Sequence, residues 1–93
     1  MINARENLLN TTNKLLIAGL NHGASGNCSC RDRGGFLITP TGIDSSKLTT
    51  DMMVRMNLSD DLPQPESKYQ PSSEWQFHQA ILEKYPEINA VVH

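Results

Sequence analysis

The feature that most constrains this 93-residue chain is a pair of short strand-like runs around Asp32-Arg33-Gly34. Cys28 to Arg31 lies on one side and Gly35 to Ile38 on the other, a spacing that predicts a β-hairpin with a tight turn. Before it, residues 2 to 19 carry Ile2, Leu8, Leu9, Leu15 and Leu16 at roughly helical spacing, with Arg5, Glu6, Asn13 and Lys14 free for water. Gly19 is the expected stop. Beyond the hairpin, Thr39-Pro40-Thr41-Gly42 breaks the second strand, Asp44, Ser45 and Ser46 are candidate caps, and Met52 to Met56 reads as a short strand. Ser72 or Ser73 is expected to cap a second helix that runs to about Lys84. Trp75, His78, Ile81 and Leu82 lie along one side of it, and Tyr85-Pro86 closes it. Ala90, Val91 and Val92 then read as a buried strand. Helix, hairpin, strand, helix and strand in this order predict an α/β layered domain.

Composition narrows the function more than the fold. A net charge of -2 leaves no basic surface for nucleic acid, so no nucleic-acid partner is expected. A hydrophobic fraction of 38% with 19% charged residues fits an ordinary soluble chain. No apolar run approaches the ~20 residues that a bilayer span needs, and no secretory leader is visible, so no membrane partner and a cytoplasmic location are expected. Cys28 and Cys30 are read as a reduced, buried pair on one strand face. No further soft ligands lie near enough to make them a zinc site, and His22 would join them only by an accident of folding. Residues 57 to 71, with Pro63, Pro65 and Pro71, read as a surface connection.

Three small-residue segments can bear chemistry: Gly26-Asn27, Thr41-Gly42 and Ser72-Ser73. Each offers backbone N–H groups or short polar side chains, and together they could cradle a phosphate without a lysine. Taken singly, each is as well explained as a turn or a cap. Glu74 follows at the helix entrance, where a carboxylate suits the helix dipole or could serve as acid, base or metal ligand. His93 ends the last apolar run. It could be a ligand or a hydrogen-bonded core residue, and a metal would need partners not visible in this chain. His78, one helical turn after Glu74, reads as a supporting or merely packed residue, and Trp75 and Phe77 as core. A chain that stops on a candidate ligand reads as the front part of something longer.

Four blocks in order carry a resemblance. Gly19-Leu20-Asn21-His22-Gly23-Ala24-Ser25-Gly26-Asn27, Leu37-Ile38-Thr39-Pro40-Thr41-Gly42, Pro71-Ser72-Ser73-Glu74-Trp75 and Asn89-Ala90-Val91-Val92-His93 resemble the N-terminal portion of the class II aldolase/adducin family. The resemblance implies the N-terminal part of a three-layer α/β/α domain with a mixed, largely antiparallel sheet, residues 1–93 being partial and the C-terminal half absent. It also implies a homotetramer for the full-length form. Gly26, Asn27, Thr41, Gly42, Ser72 and Ser73 match the family's phosphate-binding segments. Glu74 matches the general acid/base that approaches a zinc ion, and His93 the first histidine of a His-x-His zinc pair. The implied reaction is zinc-dependent cleavage of a ketose 1-phosphate to dihydroxyacetone phosphate and an aldehyde. Since the other zinc histidines are absent, the 93-residue chain by itself is expected to be inactive. Related members epimerise, dehydrate or decarboxylate sugar phosphates, and adducin-like members are interaction domains without catalysis. The epimerases resemble Ser-Ser-Asp where this chain has Ser72-Ser73-Glu74, which favours the aldolase branch. A small standalone anion-binding module is a further alternative.

Overall fold

A computed structural model describes residues 3–59 and 68–93. Helix α1 spans Ala4–Ile17, strands β1 and β2 span Cys28–Asp32 and Gly35–Ile38, β3 spans Val54–Asn57, helix α2 spans Trp75–Lys84 and β4 spans Ala90–Val92. The four strands form one sheet in the order β3-β2-β1-β4, with every pairing antiparallel. The helices lie on opposite faces. Leu8 of α1 packs with Cys28, Leu37 and Met53, whereas Leu82 of α2 packs with Phe36, Ile38, Val54 and Met56. Because side chains alternate along a strand, the hairpin feeds both cores at once, Leu37 to one and its neighbours Phe36 and Ile38 to the other. This is the expected three-layer α/β/α arrangement, and the sheet is wholly antiparallel among the described residues.

The local chemistry explains the boundaries. Asn3 caps α1 by accepting from the Glu6 N–H, and Ile2 lies outside the described residues. At the other end Gly19 N–H donates to Leu16 O and Leu20 N–H to Leu15 O, a pair of bonds that closes the helix on a left-handed residue. Gly19, at φ 76°, supplies it. The β1–β2 turn pairs Asp32 with Gly35 and places Arg33 and Gly34 at φ 51° and 79°, as a two-residue hairpin turn with left-handed centres requires.

Four expectations are corrected. The strand anticipated at Met52 to Met56 begins at Val54, because Met52 belongs to a 3₁₀ turn, Thr50–Met52. Neither Ser72 nor Ser73 occupies the N-cap of α2. Glu74 does, and the Ser72 hydroxyl accepts from the Glu74 N–H one residue too early to reach the first turn. Phe77 is 53% exposed rather than core, and Trp75 is only partly buried. The strand expected to be buried, β4, stands at an edge of the sheet among the described residues, with Val92 56% exposed. Of the proline-rich connection, residues 60–67 lie outside the described residues. Pro71 is buried and bridges to Pro40.

Arg31 ties the edge together. From β1 its guanidinium donates to Leu82 O at 2.5 Å and to Tyr85 O and Ile88 O, while its own N–H donates to Asn89 O. A cation at the C-terminus of α2 satisfies helix carbonyls and complements the dipole. Arg31 therefore fixes both the end of α2 and the start of β4.

Candidate active site

The site forms where β1 begins, β4 ends and α2 enters. Pairing of β1 with β4 continues one step beyond the named strands: Asn27 N–H donates to His93 O and His93 N–H to Asn27 O, both at 2.9 Å. This places the two residues side by side. Glu74, delivered by the α2 N-cap, then meets both side chains. Asn27 Nδ2 donates to Glu74 Oε1 at 2.5 Å, and His93 Nδ1 lies 2.7 Å from the same oxygen. The His93 ring stacks on Phe77 with centroids 5.3 Å apart, which accounts for Phe77 standing outside the core. The hydrogen bond from Asn27, with that of His93, holds the Glu74 carboxyl below the usual carboxylate range.

Behind this surface group lies a buried polar chain. His78 is fully buried, with Nε2 2.5 Å from Asn27 Oδ1 and Nδ1 2.6 Å from Ser29 Oγ. Burial lowers its pKa to about 4, so the ring is neutral near pH 7. The directions follow from Glu74. An ionised carboxylate only accepts, so Asn27 presents its NH₂ there and its oxygen to His78. His78 must then donate from Nε2 and accept the Ser29 hydroxyl proton at Nδ1. No buried side-chain polar atom among the described residues is left without a partner.

The three small-residue segments are linked in series by backbone bonds. Thr39 N–H donates to Cys28 O, Ser72 N–H to Thr39 O, and Thr41 N–H to Gln70 O. Gly26 sits at φ 81°, and a β-carbon there would lie 2.3 Å from Asn21 Oδ1, so the loop closes on a backbone that only glycine fits comfortably. Gly26, Thr41, Gly42 and Ser73 are exposed, whereas Asn27 and Ser72 are buried. The cavity beside Asn21, Gly26, Asn27 and Thr39 measures about 10 Å³, room for no more than one water. An anion would therefore meet the exposed rim rather than an interior pocket. Asn27 has little to offer it: its N–H is taken by His93, and its amide bridges Glu74 and His78.

Zinc is the metal the resemblance implies. A carboxylate and an imidazole are suitable donors, but among the described residues no three His, Cys, Asp or Glu side chains cluster as a metal site would need. The donors fit in kind and fall short in number. Glu74 holds His93 through Nδ1, leaving Nε2 as the nitrogen for a metal, a carboxylate–histidine pairing typical around metal ligands. Cys28 and Cys30 are free thiols, Cys28 buried and Cys30 partly so, and burial raises the pKa of both. Cys28 packs in the core with Leu8, Leu37 and Met53, as expected of a buried thiol, whereas Cys30 packs against that core and stays partly exposed.

Sequence reasoning placed Glu74 and His93 together but gave His78 and Ser29 no firm role. The available signals were weak: His78 stands four residues after Glu74, and Ser29 alternates with the two cysteines to face α2.

The family model described as Class II Aldolase and Adducin N-terminal domain matches residues 6–93. A 5-methylthioribulose-1-phosphate/5-deoxyribulose-1-phosphate aldolase from Escherichia coli O45:K1 is 47% identical over 92 residues, covering 99% of this chain and 42% of that protein. An L-fuculose phosphate aldolase from Escherichia coli K12 is 43% identical over 86 residues, covering 92% and 39%. A solved L-fuculose 1-phosphate aldolase superposes with a TM-score of 0.86 at 30% identity, covering 97% of this chain and 42% of that one. The chain thus spans about two fifths of the length of the relatives it matches.

Proposed function

From the premise that this chain belongs to the class II aldolase and adducin N-terminal domain family, we propose that it is the N-terminal part of a lyase that cleaves a ketose 1-phosphate. The observation that carries this reading is the meeting of Glu74 and His93, 19 residues apart in sequence, at 2.7 Å. Two relatives with different aldehyde portions in their named substrates match it about equally well, at 47% and 43% identity. What those substrates share is the phosphorylated ketose end, so the proposal commits to that end. Cleavage between C3 and C4 gives dihydroxyacetone phosphate and an aldehyde.

In this reading the phosphate rests on the exposed rim around Gly26, Thr41, Gly42 and Ser73, with the buried Ser72 and Asn27 supporting from behind. Glu74, held ionised by Asn27 and His93, takes or returns a proton at the carbon that bears the negative charge after cleavage. His93, oriented by Glu74 through Nδ1, would hold zinc through Nε2 together with ligands from outside the described residues. Zinc, when bound, would supply Lewis-acid stabilisation of the substrate oxygens. A cytoplasmic homotetramer is the form proposed for the full-length protein, and residues 1–93 by themselves are proposed to be inactive.

The test is a coupled assay for dihydroxyacetone phosphate on the full-length protein, offered L-fuculose 1-phosphate and 5-deoxyribulose 1-phosphate separately. Release from either supports the lyase and chooses the aldehyde class. Turnover of neither, with an epimerised, dehydrated or unchanged sugar phosphate recovered, would overturn it.

A further inference from the structure

The lyase reading uses Glu74 and His93 but leaves His78 unexplained. A fully buried imidazole is a costly way to fill space beside Leu82 and the sheet, because a polar ring must find partners for both nitrogens. Here both are found, and they point in one direction. Ser29 Oγ meets Nδ1 at 2.6 Å, Nε2 meets Asn27 Oδ1 at 2.5 Å, and Asn27 Nδ2 meets Glu74 Oε1 at 2.5 Å. Each link dictates the polarity of the next.

We propose that His78 is a positioning residue for Glu74. Its Nε2–H grips the oxygen of the Asn27 amide, so that the NH₂ end stays turned toward the carboxylate. Ser29, by donating to Nδ1, selects the tautomer that can do this. Two elements contribute: β1 supplies Ser29 and is preceded by Asn27, and α2 supplies His78 and is capped by Glu74. Asn27 thereby links the buried ring to the carboxylate. His78 touches neither substrate nor metal in this scheme and acts only through Asn27.

The catalytic consequence rests on the lyase reading, whereas the orientation itself does not, and two measurements separate them. In the full-length protein, His78→Leu is expected to lower kcat by about 10–100-fold, the usual scale for losing an outer hydrogen-bond partner, with KM little changed. His78→Gln, whose amide can still donate toward Asn27, is expected to recover much of that loss. A packing role predicts the reverse order, because leucine fills an apolar site better than glutamine does. Thermal melting of both variants shows whether either has failed to fold. Independently of activity, nitrogen-15 NMR of the imidazole in the wild-type protein should show one tautomer, with the proton on Nε2. The Asn27 side-chain amide signals should shift in His78→Leu and hold in His78→Gln. A proton on Nδ1, or an Asn27 amide indifferent to both variants, would overturn the proposal whether or not the protein is a lyase. Should the wild type cleave no ketose 1-phosphate yet show these signatures, the lyase reading fails and the positioning of Glu74 stands.

Discussion

At the residue scale, one carboxylate concentrates the chemistry. Glu74 was legible because Ser72-Ser73-Glu74 precedes an apolar periodic run, and His93 was named beside it, but the direct hydrogen bonds that join Glu74 to His93 and Asn27 were not legible. Asn27 and His93 reach it across 47 and 19 residues of sequence, and no local pattern encodes such a meeting. Replacing Glu74 with glutamine keeps the size of the side chain and removes its basicity. The expected outcome in the full-length protein is a loss of about 10²–10⁴-fold in kcat, measured by dihydroxyacetone phosphate release, the range of general acid–base contributions. His78 makes a separate prediction about stability. Its pKa is lowered from 6.5 to about 4 on folding, so between these values the unfolded chain binds the proton and the native chain does not. Stability is therefore complete above pH 6.5 and falls as pH drops toward 4. Urea midpoints measured across that window should decline with falling pH in the wild type. The decline should be shallower in a folded His78→Gln variant, and equal slopes would contradict the assignment.

At the scale of elements, capping and turn chemistry marked most boundaries, and burial explains where they slipped. Gly19 and the Arg33-Gly34 turn lie where helix-stop and hairpin signals put them, since each acts on backbone within a few residues, whereas α1 begins after an Asn3 cap instead of at residue 2. The α2 entrance was misjudged because the Ser72 hydroxyl accepts from the Glu74 N–H, ahead of the first turn, while its own N–H is tied to Thr39 O, a long-range contact invisible in the local sequence. Phe77 was read as core from its chemistry alone, and its exposed stack on His93 depends on where β4 ends. Arg31 is the element-level residue that periodicity could not pick out, because it looks like any polar residue in a half-exposed strand. Removing its charge while keeping its stem, as in Arg31→Met, leaves Leu82 O and Ile88 O without their donor. A destabilisation of about 1.5–3 kcal/mol is expected from the loss of charged hydrogen bonds, read from chemical denaturation. Unchanged stability would show that water replaces the guanidinium at no cost.

At the scale of the whole molecule, two helices sandwich an antiparallel sheet, and the candidate site sits at one end of it beside an exposed edge strand. The described residues provide one imidazole and one carboxylate for a metal. The 93-residue chain alone is accordingly expected to lose zinc on gel filtration, while the full-length protein retains it, as metal analysis of both samples would show. Retention of stoichiometric zinc by the short chain would mean that its own residues complete the site. By itself the sequence determined the layered α/β class, the hairpin, both helices and the identity of Glu74 and His93. Each of these is written in periodicity, turn residues or contiguous blocks, and such signals act over a few residues. Tertiary structure decided the rest: that Val92 lies on an edge, that Phe77 faces His93, and that Ser29, His78 and Asn27 line up behind Glu74. Those relations depend on strand order and on which helix covers which face, and long-range packing sets both.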